Sequence, residues 1–151
     1  MSTRYDDLAL DRQLCFALYA ASRSVMQTYG PLLADLGLTY PQYVTLLALW
    51  EDPDEPMTVG AVGRRLRLDT GTLTPLLKRL ETIGLVRRSR DTADERRVLV
   101  ELTDAGRALR DDAAAVPRRL IRQTGLSVSE VADLRARLVN LIDQLDDAAQ
   151  E

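Results

Sequence analysis

Between Thr58 and Thr103 the spacing of apolar residues switches from a helical to a strand period just past Gly84, and few small folds accommodate that order. Thr58 and Asp69 are each placed to cap a helix, the first reaching about Leu66 and the second ending at Gly84. Leu85 to Arg90 and Arg97 to Leu102 read as strands around the polar turn Asp91-Thr-Ala-Asp-Glu-Arg96, an antiparallel hairpin. Two short helices followed at once by a hairpin is the winged helix-turn-helix plan. The chain is therefore expected to be mainly α with a small β-hairpin wing, the winged helix-turn-helix region occupying residues 39–103.

The flanks read as helices. The first runs from about Asp11 to Tyr29, Gly30-Pro31 interrupts it, and Leu32 to Leu36 continue as a bent extension. Thr39-Tyr-Pro-Gln42 is a capping box opening a helix through Trp50, and Asp52 to Pro56 is a loop. Thr103 caps a helix carrying Leu109, Val116 and Leu120 that Pro117 is expected to bend. Ser127-Val-Ser-Glu130 is a second capping box, opening the last helix. There Val128, Val131, Leu134, Leu138, Leu141 and Leu145 make a near-heptad stripe that suits a partner helix, although packing within one subunit would give the same stripe. Residues 1–38 and 104–151 are thus expected to form a helical dimerisation region around the winged helix.

Several classes of function drop out. No apolar run approaches the roughly 20 residues that span a bilayer, and Met1 to Asp7 lack the apolar stretch of a signal peptide. A cytoplasmic protein without membrane contact is expected. The absence of histidine removes histidine-based triads and histidine-ligated zinc. Cys15 is the single cysteine, so no internal disulfide or cysteine cluster can form. No metal or other cofactor is expected, and an enzyme is not.

A net charge of −3 looks unfavourable for nucleic acid, but its distribution does not. Between Val59 and Val98 ten bases face five acids, leaving −8 on the remainder. Charge runs are usually solvated faces with ion pairs. What argues otherwise is position. On the second short helix Leu73, Leu76, Leu77 and Leu80 share one face. Opposite lie Gly71, Pro75, Lys78, Arg79 and Thr82, with Thr72 and Thr74 on the flanks, and Thr70, Gly71, Thr72, Thr74, Lys78 and Arg79 are the candidate DNA contacts. Threonines near the helix start suit base edges in a major groove and the bases suit phosphates. Pro75 either forfeits one backbone bond inside the helix or marks a start at Thr74. On the hairpin, Arg88, Arg90 and Arg96 are candidate DNA contacts, arginine at such a tip being suited to a narrow minor groove. Asp94 is placed to hold Arg96.

The run Leu68-Asp-Thr-Gly-Thr-Leu-Thr-Pro-Leu-Leu-Lys-Arg-Leu-Glu81, with Gly84-Leu-Val-Arg87, Asp94-Glu-Arg96 and Leu102-Thr103, closely resembles the MarR family of winged-helix regulators. The resemblance covers nearly the whole chain. It implies a homodimer joined by terminal helices that binds double-stranded operator DNA.

A lone cysteine on an apolar helical face is usually a small buried hydrophobe. Around Cys15, Tyr19 lies one turn on, Tyr29 ends the same helix and Tyr40 opens the next. Tyrosine hydroxyls and a helix N-terminus both favour a thiolate. Gln13 to Arg23, Tyr29-Gly-Pro-Leu-Leu33 and Leu36 to Tyr43 are similar to the organic-hydroperoxide-sensing, OhrR-type branch of the MarR regulators. That resemblance implies that Cys15 is the peroxide-reactive residue and that Tyr29 and Tyr40 hydrogen-bond to it. Oxidation to a sulfenic acid, then capping by a small thiol or further oxidation, would release the DNA. Three other readings stand beside it. A MarR-type repressor relieved by a small ligand would leave Cys15 structural, a thiol peroxidase would turn over with a reductant, and a winged helix could bind protein.

Overall fold

The computed structural model describes residues 5–150. Two 3-10 turns, Asp6–Leu8 and Leu10–Arg12, precede helix α1 (Leu14–Ala34), which therefore starts later than Asp11. The expected break at Gly30-Pro31 does not occur, and α1 runs through both residues. Gly30 has no Cβ to collide with the Pro31 ring. The turn beyond it buries Leu32 and Leu33. Two buried leucines, worth about 1.5–3 kcal/mol each, outweigh one backbone hydrogen bond of about 1 kcal/mol.

Helix α2 (Tyr40–Trp50) opens on the expected capping box. Thr39 Oγ1 accepts from the Gln42 amide at 3.4 Å, and Gln42 Oε1 accepts from the Thr39 amide at 2.9 Å. A two-residue strand, β1 (Met57–Thr58), follows and was not foreseeable, because two residues carry no period. Thr58 ends this strand and also caps α3 (Val59–Leu66), accepting from the Ala61 amide at 3.0 Å.

The turn to α4 (Thr70–Thr82) is tight. Arg67 takes a left-handed conformation with φ 56°, and the Leu68 amide donates to the Gly63 carbonyl at 2.9 Å. A Cβ on Gly63 would lie 2.9 Å from the Leu68 carbonyl oxygen, so the approach needs glycine. Helix α4 starts at Thr70 and not at Thr74, with Pro75 inside it. Its first turn is secured ahead of the proline: Asp69 Oδ1 accepts from the Thr72 amide at 2.7 Å, and the Leu73 amide donates to the Asp69 carbonyl at 3.0 Å.

Strands β2 (Val86–Arg90) and β3 (Val98–Leu102) form the expected hairpin, and β1 pairs on the far side of β3, giving the antiparallel order β1-β3-β2. Leu73, Leu76, Leu77 and Leu80 are buried, as are Tyr43, Leu46, Leu49, Val62, Val86 and Val100. This core carries the recognition helix and the sheet alike.

Helix α5 (Asp104–Ala113) is capped by Thr103 Oγ1, which accepts from the Gly106 amide at 3.1 Å. The bend expected at Pro117 is a break three residues earlier: α5 ends and α6 (Val116–Thr124) begins with Pro117 in its first turn. There a missing N–H costs nothing, whereas a continuous helix would put the ring against the carbonyl of Ala113. The chain up to Ala114 is one compact unit and the chain from Ala115 onward another. Contacts within the chain thus group α1 and α5 with the winged helix, a different division from the expected 1–38 plus 104–151. In the second unit α7 (Val128–Ala148) opens on its capping box, Ser127 Oγ accepting from the Glu130 amide at 3.2 Å and Glu130 Oε2 accepting from the Ser127 amide at 2.7 Å. Along its stripe Val128, Leu134 and Leu145 are exposed, while Val131, Leu138 and Leu141 are half-buried. Among the described residues no helix is long and apolar enough to cross a membrane.

Candidate nucleic-acid interface and thiol site

The leucine face of α4 is locked into the core, so its other face must point to solvent. Thr70, Gly71, Thr72, Thr74, Lys78 and Arg79 are all exposed on it. Thr74 Oγ1 donates to the Thr70 carbonyl at 2.8 Å, which fixes the rotamer of a candidate base-reading residue. Asp69, at the cap, is held below the usual carboxylate range first by the hydrogen bond from the Thr72 amide. Lys78 and Arg79 form no ion pair with the described residues, leaving both charges available to an anion.

The hairpin sorts its arginines. Arg96 is gripped by Asp94 through Nε at 3.0 Å and Nη2 at 3.2 Å, yet its side chain remains 90% exposed. Those hydrogen bonds from Arg96 hold the Asp94 carboxyl below its ordinary range. This is the predicted support: a guanidinium presented and oriented, not buried. Arg90 Nη1 donates to the Glu95 carbonyl at 2.8 Å, which steadies the tip. Arg87 pairs across the ladder with Glu101, its register partner.

Arg88, also a candidate contact, is paired within the protein. Its side chain is only 26% exposed and turns back to Glu81 on α4, with Nη2 at 3.2 Å from Oε1. Between α3, α4 and the hairpin lies an open groove of about 580 Å³, walled by Gly60, Arg64, Thr70, Thr74, Arg88, Arg96 and Arg97 among others. Gly60 and Arg64 escaped the sequence reading because only the fold brings α3 beside the wing.

Cys15 is an exposed free thiol at the second position of α1. The cap residue Gln13 turns away, its Nε2 donating to the Asp7 carbonyl at 2.6 Å, so no side chain caps the first turn. That end of a helix stabilises negative charge. Tyr19, one turn on, is exposed and lies under the Arg23 guanidinium at 5.7 Å.

Tyr29 and Tyr40 do meet, with ring centroids 4.7 Å apart, and Tyr43 completes a cluster at 5.8 Å and 6.3 Å from them. Sequence reading missed Tyr43, although its spacing from Tyr40 puts the two on one helical face. Burial, reinforced by Tyr40 and Tyr43, pushes the Tyr29 phenol up to about 12. Burial also raises Tyr40 and Tyr43 above the ordinary tyrosine value. All three therefore keep their protons, and with them their donor capacity, at neutral pH.

These tyrosines are not beside the thiol. Cys15 and Tyr29 stand on one unbroken helix, fourteen residues and about 21 Å apart. Within one protomer Tyr29 and Tyr40 cannot hydrogen-bond to Cys15, and Tyr19 is the only expected supporter within a turn of it. No group of three or more possible metal ligands occurs among the described residues.

Residues 27–113 match the family model for the transcriptional regulators SarA/Rot. The chain is 43% identical over 145 residues to the organic hydroperoxide resistance transcriptional regulator of Bacillus subtilis, covering 96% of this chain and 97% of that one. It is 49% identical over 142 residues to the HTH-type transcriptional regulator TtmR of Methylorubrum extorquens, covering 94% of this chain and 72% of the other. Among solved structures, reduced AbfR bound to DNA superposes with a TM-score of 0.75 at 36% identity, covering 95% of this chain and 99% of that chain. AbfR, a protein of Staphylococcus epidermidis, is also known over-oxidised on DNA, with a TM-score of 0.74 at 36% identity over the same shares of the two chains.

Proposed function

The chain belongs to the SarA/Rot family of transcriptional regulators, MarR-like winged-helix proteins, and from that premise we propose that it is a redox-sensing repressor. As a homodimer it holds double-stranded operator DNA while Cys15 is reduced, and releases it once an organic hydroperoxide oxidises the thiol.

The observation that carries this reading is the separation along α1. An exposed thiol stands at one end of the helix and protonated tyrosines at the other, about 21 Å away. A second copy of the chain closes that gap, its Tyr29 and Tyr40 meeting Cys15 of the first. Exposed apolar residues on α1, among them Leu14 and Phe16, and separately on α7, among them Val128 and Leu145, are available to a second copy. On this proposal residues 1–38 and 104–151 form the dimerisation region and 39–103 the DNA-binding region.

The thiolate attacks the terminal peroxide oxygen, the O–O bond breaks, and the alkoxide leaves to be protonated as an alcohol. Sulfur is left as a sulfenic acid, stabilised by the phenolic donors. With no second cysteine in the chain, the two-cysteine route to an intersubunit disulfide is closed. Over-oxidised AbfR still sits on DNA, which favours a bulkier adduct as the releasing form here. A small cellular thiol condenses with the sulfenic acid, water leaves, and the mixed disulfide spreads the dimer so that the two recognition helices lose successive major grooves, about 34–36 Å apart. On this proposal the protein is a cytoplasmic sensor, oxidised without steady-state turnover of peroxide, and not an enzyme.

The test is a gel shift on the DNA upstream of the protein's own gene. Reduced wild type and Cys15→Ser are expected to bind equally. Cumene hydroperoxide with a small thiol is expected to release only the wild type. Release of the serine variant would sink the mechanism, and steady-state peroxide consumption far beyond one equivalent would favour a thiol peroxidase instead.

A further inference from the structure

Strand β2 is an edge of the sheet, with β3 on one side and, among the described residues, no strand on the other. The Arg88 amide faces that open edge and donates to Glu81 Oε2 at 2.8 Å. The Arg88 guanidinium returns to the other oxygen of the same carboxylate, from Nη2 at 3.2 Å and Nε at 3.4 Å. Glu81 lies in the last turn of α4, immediately after the fully buried Leu80. One carboxylate on the recognition helix thus holds both the backbone and the side chain of one wing residue.

We propose that Glu81 is a positioning residue for DNA binding, clasping the wing to the recognition helix so that both meet the duplex in a fixed relation, with Arg88 as its counter-ion and not a DNA contact. The proposal rests on the DNA-binding reading above. Three observations support it. Arg88 is the most enclosed arginine of the hairpin, its side chain 26% exposed against 55% for Arg97, 70% for Arg87 and 90% for Arg96. Arg88 follows Val86 by two residues, so its side chain falls on the strand face that Val86 packs into the core. Glu81, at 38% side-chain exposure, is too open for the pair to matter much to folding. Its weight is in orientation. A hairpin anchored only at its base can swing, and a carboxylate fixing the middle of its free edge removes that freedom.

The experiment uses the full-length protein and labelled DNA from upstream of its own gene. Affinity is measured by fluorescence anisotropy across a salt series, together with a hydroxyl-radical footprint. Glu81→Ala and Arg88→Ala should each weaken binding about tenfold, and the double variant should bind no more weakly than Glu81→Ala. The salt slope should stay at its wild-type value, because no phosphate contact is lost. Protection should disappear under the wing while that under the recognition helix remains. If Glu81→Ala melts before it can be assayed, Glu81→Gln, which keeps an acceptor for the amide but not the charge, should show the same non-additivity with Arg88→Ala and the same unchanged salt slope, with a smaller loss of affinity.

A salt slope lower by about 0.9 in Arg88→Ala, with Glu81→Ala unchanged in affinity, would make Arg88 a phosphate contact and overturn the proposal. Additive losses in the double variant would overturn it too. Wild type that binds without salt dependence would remove the DNA-binding reading itself, and the wild-type control tells that failure apart from the others.

Discussion

Trp50 and Gly106, 56 positions apart, are joined by a buried 2.8 Å hydrogen bond from the indole Nε1 to the glycine carbonyl. It ties the end of α2 to the first turn of α5. A Cβ at Gly106 would stand 2.1 Å from the Leu85 carbonyl oxygen, a contact that only backbone movement can relieve. Gly106→Ala is expected to destabilise the protein by about 3 kcal/mol. Trp50→Phe, which leaves the carbonyl without its indole donor, should cost about 1–2 kcal/mol. Urea unfolding followed by circular dichroism measures both, and a neutral Gly106→Ala would contradict the packing described here.

The tyrosine cluster sets an alkaline limit. A Tyr29 phenol that holds its proton to about pH 12 in the folded state, against the ordinary value of 10, binds more protons folded than unfolded within that window. Stability from this group is therefore complete below about pH 10 and lost as pH rises toward 12. Melting temperature should fall across that interval, and Tyr29→Phe should flatten the fall. An unchanged profile in that variant would assign the alkaline loss to other groups.

Sensing across two copies can be tested with mixed dimers. A Cys15→Ser protomer paired with a Tyr29→Phe/Tyr40→Phe protomer carries its one thiol opposite intact tyrosines. Its oxidation rate, followed by mass spectrometry of the sulfenic acid trapped with dimedone, should match that of wild type. The homodimer of the tyrosine double variant should react about tenfold more slowly, the loss of donor hydrogen bonds to a charged group. Equal rates in the two preparations would exclude a role across the interface.

Contacts on α4 should separate into two kinds. Lys78→Ala and Arg79→Ala are expected to weaken binding on all sequences and to lower the salt slope by about 0.9 each. Thr72→Val and Thr74→Val should leave the slope alone and relax discrimination by about 1–3 kcal/mol at single base pairs. Sequence preference unchanged in both threonine variants would remove them from base readout.

Charge placed on the last helix should dissociate the assembly. Leu134→Arg with Leu145→Arg adds two cations to an exposed apolar stripe without entering a core. Sedimentation should report a folded monomer, and operator binding should fall with it. A variant that remains dimeric would move the interface away from α7.

What could be read before the fold was known is what depends on near neighbours in the chain. Thr39, Thr58, Asp69, Thr103 and Ser127 all cap where their side chains predict, because each bond spans only three residues. Pro31 misled, since a lost backbone bond is visible in a sequence while the burial of Leu32 and Leu33 that offsets it is not. Of the two readings left open at Pro75, the structure takes the one with the proline inside the helix. Arg88 and Arg96 are the same residue type on one hairpin. Only tertiary placement of Glu81 turns the first inward and leaves the second in solvent. The distance from Cys15 to Tyr29 was legible as well, since both lie within the helix expected from about Asp11 to Tyr29.

Cys15 stands outside the packed interior of its protomer. A chain that exchanges it for serine keeps every buried side chain, so cellular quality control has no unfolded product to recognise and destroy. Loss of the thiol would therefore be inherited as a dominant phenotype. A protein deaf to oxidant, yet fully able to occupy its site, would silence the genes beneath it even in cells that also make the responsive form.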